Sequence, residues 1–162
     1  KISNMIIDDI KWKKNHLDLI KNCYSKSKYF NEIDDFIRNT IQANHAIKLS
    51  EINQNLIKSI CDRLDIKNSF SFSSEIVKSK KNASERLLEI CKIKNCKIYV
   101  TGPNAKNYLN QNLFEKNGIK IEWYNYGITK KYYQINETFQ PNLSIIDCLM
   151  NCGFNKKKFM NL

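Results

Sequence analysis

The stretch ASERLLEICKIKNCKIYVTGPNAKNYLNQNLFEKNGIKIEWY, residues 83–124, decides the fold. Its opening places Leu87, Leu88, Ile90 and Cys91 at helical spacing over 83–93. KIYVTG follows as a compact strand that stops at Gly102-Pro103, where the missing proline N–H ends a ladder. A short helix over 107–114 ends at Asn117-Gly118, and IKIEWY is the next strand. Just upstream, SFSFSS alternates Phe70 and Phe72 with serines, the period of a strand with one apolar face. Strand, helix, strand, helix, strand at these lengths is the pattern of a parallel sheet with right-handed crossovers and helices on its faces.

Outside this stretch the period is helical. Residues 2–7 form a short apolar run compatible with a strand, and Asp8 or Asp9 is placed to cap a helix. That helix carries Trp12, His16, Leu19, Ile20, Cys23 and Tyr24 on one face. A second helix runs through Ile33, Phe36, Ile37 and Ile41. Ser50 precedes a third, through Ile52, Leu56, Ile57, Ile60 and Leu64. Toward the C-terminus, residues 125–138 carry Tyr126, Tyr132 and Tyr133 without clear period and read as loop or edge strand. FQPNLSIIDCLMNCG, residues 139–153, is strongly punctuated. Pro141 and Asn142 interrupt the backbone, Ser144 caps a helix, Asp147 sits in its favoured first turn and Gly153 stops it. A polar segment beside an apolar helix suits a pocket wall, and an ordinary capped helix has the same features.

The expected fold is therefore α/β in a single domain, residues 1–162. A mainly helical part covers 1–67, and an α/β part over 68–162 holds a small parallel β-α-β-α-β unit and a C-terminal helix.

Twenty-seven basic against sixteen acidic residues give a formal charge of +11, which invites a nucleic-acid partner. Only Arg38, Arg63 and Arg86 are arginine, the better fork for phosphate and base edges. The lysines, densest at Lys78–Lys80–Lys81, Lys130–Lys131 and Lys156–Lys157–Lys158, read first as a solvated surface, so no nucleic acid is expected. No apolar run approaches the ~18 residues of a membrane span, and the first residues lack the zones of a signal peptide, which points to the cytoplasm. With no initiator Met, the chain reads as an N-terminally incomplete domain. The six cysteines form no C-x-x-C and the two histidines, His16 and His45, supply no zinc spacing, so reduced thiols and no metal are expected. Four glycines, with neither G-x-G-x-x-G nor a P-loop, argue against a tightly cradled nucleotide diphosphate, and no cofactor is expected.

In an open parallel sheet, ligands collect beyond the carboxyl ends of the strands. Those ends are Ser73-Ser74-Glu75, Thr101-Gly102-Pro103-Asn104 and Tyr124-Asn125-Tyr126, whose hydroxyls, amides and backbone N–H groups can hold a carboxylate or phosphate. Turn and capping roles account for the same residues. There is no G-x-S-x-G elbow. His16, beside Trp12 and Ile20, is the better general-base candidate of the two histidines, though a histidine on an apolar helix face is commonly a core or capping residue.

Several stretches together resemble the WbqC-like protein family. They are KWKKNHLDLIKNCYSKSKYF, SEINQNLIKSICDRLDIK, FSFSSEI with SERLLEICK, YVTGPNAKNYL, LFEKNGIKIEWYNY and FQPNLSIIDCLMNCG, in family order. The match is to the C-terminal two-thirds of the usual protein. The His-Gln-Pro-like motif and the Asn-Arg stretch that open most members are absent, and Thr101 stands where members often have Ser. The resemblance implies a role in O-antigen or other surface-polysaccharide biosynthesis as an acyl- or aminoacyl- (glycyl) transferase. The partners would be a nucleotide-sugar or amino-sugar substrate and an activated acyl donor. By motif position it implies proton transfer by His16 or Asp147, and substrate binding by Ser74, Thr101, Gly102, Tyr108, Gln134, Asn142 and Ser144. A non-catalytic binding or scaffolding module of a glycan-synthesis complex is the alternative. Tyr126, Tyr132 and Tyr133 would form its apolar patch.

Overall fold

The computed structural model describes residues 4–9, 11–78, 82–125, 130–136 and 138–160. In chain order it contains α1 (Trp12–Tyr24), α2 (Phe30–Gln42), α3 (Leu49–Arg63), α4 (Ser73–Ile76), α5 (Ala83–Ile93), β1 (Ile98–Thr101), α6 (Gln111–Glu115), β2 (Lys120–Trp123) and α7 (Ile145–Cys152). Turns of 3-10 helix lie at Pro103–Asn107 and Lys156–Lys158. The mixed α/β class, the helical first half and the C-terminal helix all stand. Two compact units share the elements: residues 1–67 with 128–162, and residues 68–127. No described helix is long and apolar enough to cross a membrane.

The first unit is organised by α7. Ser144 caps it by accepting a hydrogen bond from Ile146 N at 3.3 Å, and Gly153 ends it with φ 66°. Leu149 and Met150, both 0% exposed, enter one cluster with Leu17 and Ile20 of α1, Ile33, Ile37 and Ile41 of α2, and Leu64. Each such burial contributes about 1.5–3 kcal/mol. The residues after α7 extend the contact. Phe154 meets Phe36 edge-on at 5.2 Å and lies 4.3 Å from the Arg63 guanidinium, and Lys156 Nζ donates to Asp65 O at 2.6 Å.

Three details of this unit differ from expectation. Asp9 acts ahead of α1, accepting from Lys11 N at 2.8 Å, and the N-cap position itself is Lys11. His16 and Cys23 are exposed, because the buried stripe of α1 is centred on Leu17, Ile20 and Tyr24 and leaves them on its flanks. Residues 2 and 3 lie outside the described residues. Ile6 forms one antiparallel bridge with Lys48 instead of a strand.

In the second unit β1 and β2 pair in parallel, from Ile98 opposite Lys120 to Thr101 opposite Trp123. Tyr99 stacks on Phe114 at 5.3 Å, above a core of Leu88, Cys91, Ala105, Leu109, Phe114 and Ile119. The helix expected over 107–114 is divided. Ser84 Oγ accepts from Asn110 N at 3.0 Å, and the Asn110 side chain caps a fresh start by accepting from Leu113 N at 3.2 Å. SFSFSS is not a strand, so the described sheet has two strands where three were expected. Residues 68–72 are irregular, and the chain then coils through Ser73–Ile76, with Ile76 N bonded to Phe72 O at 3.1 Å and Val77 buried beneath. Serine hydroxyls favour such turns, and two phenylalanines at period two are too short a signal to oppose them.

Candidate functional site

Because Ser144 starts α7, Asp147 falls in its first turn and points inward, 5% exposed. A buried carboxylate is costly unless its oxygens are hydrogen-bonded. Oδ2 accepts from the Tyr132 hydroxyl at 2.6 Å and from Gln134 Nε2 at 2.8 Å, while Oδ1 accepts from Asn151 Nδ2 at 3.3 Å. Gln134 is fixed in turn. Its Oε1 accepts from Gln140 N at 2.7 Å and its Nε2 donates to Gln140 O at 3.0 Å. The segment before α7 is thereby hooked onto the helix through one carboxylate.

All these donors are neutral, and among the described ion pairs none includes Asp147. Burial, helped by the Asp147 bond, pushes the Tyr132 phenol above its ordinary range. Burial and the nearby Asp147 charge push the Tyr24 phenol up to about 12. The Cys148 thiol, its pKa raised by burial, donates to Tyr132 Oη at 3.3 Å. Tyr132 is therefore protonated at rest, with its O–H directed at Asp147 along a 2.6 Å hydrogen bond.

The network opens on a groove of about 550 Å³, where Tyr132 and Asn151 form wall with Tyr133, Cys152 and five lysines, Lys28, Lys130, Lys131, Lys157 and Lys158. Lys158 Nζ donates to Tyr29 Oη at 3.0 Å, lowering the Tyr29 pKa, and Lys130 Nζ donates to the Lys157 backbone O. Two of the three lysine runs thus share one groove. Lys80 and Lys81 lie outside the described residues.

A second groove, about 290 Å³ and mainly apolar, has His16 and Ser144 on its wall beside Ile37, Leu56 and Ile146. The Ser144 hydroxyl is engaged as the α7 cap. Asn142 is exposed at φ 61°, and a left-handed residue after a proline is what a type II turn requires.

The remaining expected residues belong to the second unit. Ser74 is exposed on α4, and Thr101 is the half-buried last residue of β1. Gly102, at φ −76°, adopts backbone open to any residue. Tyr108 is 59% exposed. Among the described residues no hydrogen bond joins the side chains of Ser74, Thr101 and Tyr108. Of the nine expected residues, Gln134 and Asp147 are bonded directly and His16 and Ser144 share a groove. Tyr126 lies outside the described residues. Sequence reasoning missed the partnership of Tyr132 and Asn151 with Asp147, and the lysine groove. The available signal was that two lysine runs bracket the helix carrying the only buried carboxylate of that helix.

Structurally this is a mixed α/β chain in which a helical unit carries a buried carboxylate beside a lysine-lined groove and receives a two-stranded α/β unit as an insertion. The chain belongs to the WbqC-like protein family, whose model matches residues 1–159. It is 31% identical over 155 residues to the "Uncharacterized protein Rv1507c" of Mycobacterium tuberculosis (strain ATCC 25618 / H37Rv), a similarity covering 94% of this chain. The chain spans 66% of that relative's length. No solved structure matches.

Proposed function

We propose that the chain acts in surface-polysaccharide assembly as an acyl- or aminoacyl-transferase on an amino sugar, with Tyr132 and Asp147 as its proton-handling pair. One observation carries this: the Tyr132 hydroxyl, on the wall of the lysine groove, lies 2.6 Å from a carboxylate buried behind it. In amide formation the sugar nitrogen attacks the acyl carbonyl carbon, a C–N bond forms and the bond to the leaving group breaks. The nitrogen sheds a proton to the Tyr132 oxygen as the Tyr132 proton passes to Asp147. Tyr132 then delivers the proton taken from nitrogen to the leaving group as Asp147 returns its own to Tyr132. Gln134 acts as a positioning residue for Asp147, and the turn at Asn142 with the Ser144 cap fixes the helix that presents it. His16, exposed on the apolar groove, is the other base candidate. In the second unit Thr101 and the Gly102 amide, at the end of β1, suit a sugar or carboxylate oxygen.

A binding or scaffolding module is favoured by a different observation. Both Asp147 oxygens already accept hydrogen bonds from protein donors, as in a purely structural carboxylate. The test incubates the purified chain with amino sugars and aminoacyl or acyl thioesters and follows amide product by mass spectrometry. Tyr132→Phe is expected to lower turnover at least ~100-fold while His16→Ala has a smaller effect. Turnover by Tyr132→Phe at the unmodified rate removes the pair from the mechanism. Sugar binding without product in any combination moves the assignment to the binding module.

A further inference from the structure

The groove beside Tyr132 gathers Lys28, Lys130, Lys131, Lys157 and Lys158, all exposed, and among the described residues lining it none is acidic. Five like charges brought together repel one another, so their convergence is a stability cost unless an anion relieves it. Elsewhere five cations do meet carboxylates: Lys14 with Asp18, Arg38 with Asp34, Lys48 with Glu51, Arg63 with Glu32 and Lys120 with Glu122. Among the described residues none of the five groove lysines takes part in an ion pair. Two are held by neutral acceptors instead, Lys158 by the Tyr29 hydroxyl and Lys130 by the Lys157 carbonyl. Lys28 and Lys158 also lie over the Tyr29 ring, at 5.5 and 5.2 Å, so the ammonium groups are positioned while no described carboxylate neutralises them.

Two further features narrow the ligand. Tyr133, 76% exposed, adds a free aromatic face to the same groove. Asn151, only 6% exposed, also lines it, and its Oδ1 has no hydrogen-bond partner among the described residues. Multiple cations ask for a ligand with more than one negative charge, the tyrosine for a planar ring, and the orphan acceptor for a hydroxyl or amine. At about 550 Å³ the groove is the size of a small-molecule site. Lysine meets phosphate as a point charge and needs no glycine-rich loop.

We infer that this groove binds a nucleoside diphosphate, with the phosphates on the lysines and the base against Tyr133. The inference deepens the proposed function and rests on it in one respect, that the diphosphate belongs to the substrate whose reacting end meets Tyr132.

The test is calorimetric titration of the full chain with UDP, ADP, inorganic pyrophosphate, uridine and a short single-stranded oligonucleotide. UDP and ADP are expected to bind, pyrophosphate more weakly, and uridine not at all. Lys130→Ala with Lys131→Ala should weaken UDP at least about tenfold, whereas the exposed pair Lys92→Ala with Lys94→Ala in the other unit leaves it unchanged. Tyr133→Ala should weaken UDP at least about fivefold and leave pyrophosphate untouched. Absence of diphosphate binding overturns the inference, as does equal weakening by the two lysine pairs. Oligonucleotide binding tighter than UDP, falling steeply with salt, overturns it in favour of a nucleic-acid face. A Tyr133→Ala variant that binds UDP normally overturns the nucleoside assignment. Tyr132→Phe separates this from the transferase. UDP binding retained with turnover lost supports both, and turnover on an unphosphorylated amino sugar without UDP binding sinks the diphosphate alone. UDP binding with no turnover by any form sinks the transferase alone.

Discussion

Gly153→Ala probes how tightly α7 is seated. Gly153 adopts φ 66° with ψ −158°, a region that is essentially glycine's alone and costs other residues about 1–3 kcal/mol. A methyl there would also sit 2.9 Å from Tyr29 Cδ1 and 3.1 Å from Cε1. The Tyr29 ring cannot easily swing away, since its hydroxyl accepts from Lys158 and its backbone N–H donates to Met150 O at 3.1 Å. Forcing it to yield adds about 1–3 kcal/mol. The expected loss is ~2–6 kcal/mol, a large part of the ~5–15 kcal/mol that ordinarily separates folded from unfolded chains. Gly118 supplies the control. Its φ is 70° but nothing lies within 4 Å of an added Cβ, so Gly118→Ala should cost only about 1–2 kcal/mol. Urea unfolding followed by far-ultraviolet circular dichroism gives both values, each read from the transition of the unit carrying the change. Tyr29→Ala completes a double-mutant cycle and should recover about 1–3 kcal/mol of the Gly153→Ala loss. Equal costs at the two glycines, or no coupling to Tyr29, would refute the reasoning.

Three other outcomes are expected. Asp147→Asn keeps the shape but turns an N–H₂ toward donors that need an acceptor, so urea unfolding should show a loss of about 2–4 kcal/mol. Stability should decline as pH rises above the ordinary tyrosine value of 10 toward about 12, because folded Tyr24 keeps its proton longer than the unfolded chain does. That stability is fully present below pH 10, and Tyr24→Phe should flatten the decline in unfolding measured across this window. In the second unit Ser84→Ala removes both the donor to Tyr108 O and the acceptor for Asn110 N, at a cost of about 1–3 kcal/mol. Hydrogen exchange should report it first at the Asn110 amide.

What was legible in the sequence was written locally. The period of Leu87, Leu88 and Cys91, the compact apolar runs at Ile98–Thr101 and Lys120–Trp123, and the Ser144 cap each specify an element through near neighbours. SFSFSS failed because a strand depends on a partner that sequence spacing does not reveal, whereas its serines carry their own turn-forming hydroxyls. His16 and Cys23 were misplaced by a small angular error, since one residue on a helix turns the side chain by about 100° and decides burial. Asp147 and Gln134 were named, but their bond spans thirteen residues of chain with no described helix or strand before α7 begins, and no period encodes such a contact. Nor does any composition shift announce that residues from 128 onward pack with the first three helices.

That discontinuity bears on the order of synthesis. The second unit is a continuous segment, able to form its contacts as soon as it has emerged from the ribosome. The first unit is not. Leu17, Ile20, Ile33, Ile37 and Ile41 are made early, yet their seal, Leu149 and Met150, comes near the end. At about 5–20 residues per second, the stretch from Lys67 to Leu149 takes roughly 4–16 s to produce. Throughout that interval the apolar stripes that α7 covers in the folded protein lack Leu149 and Met150.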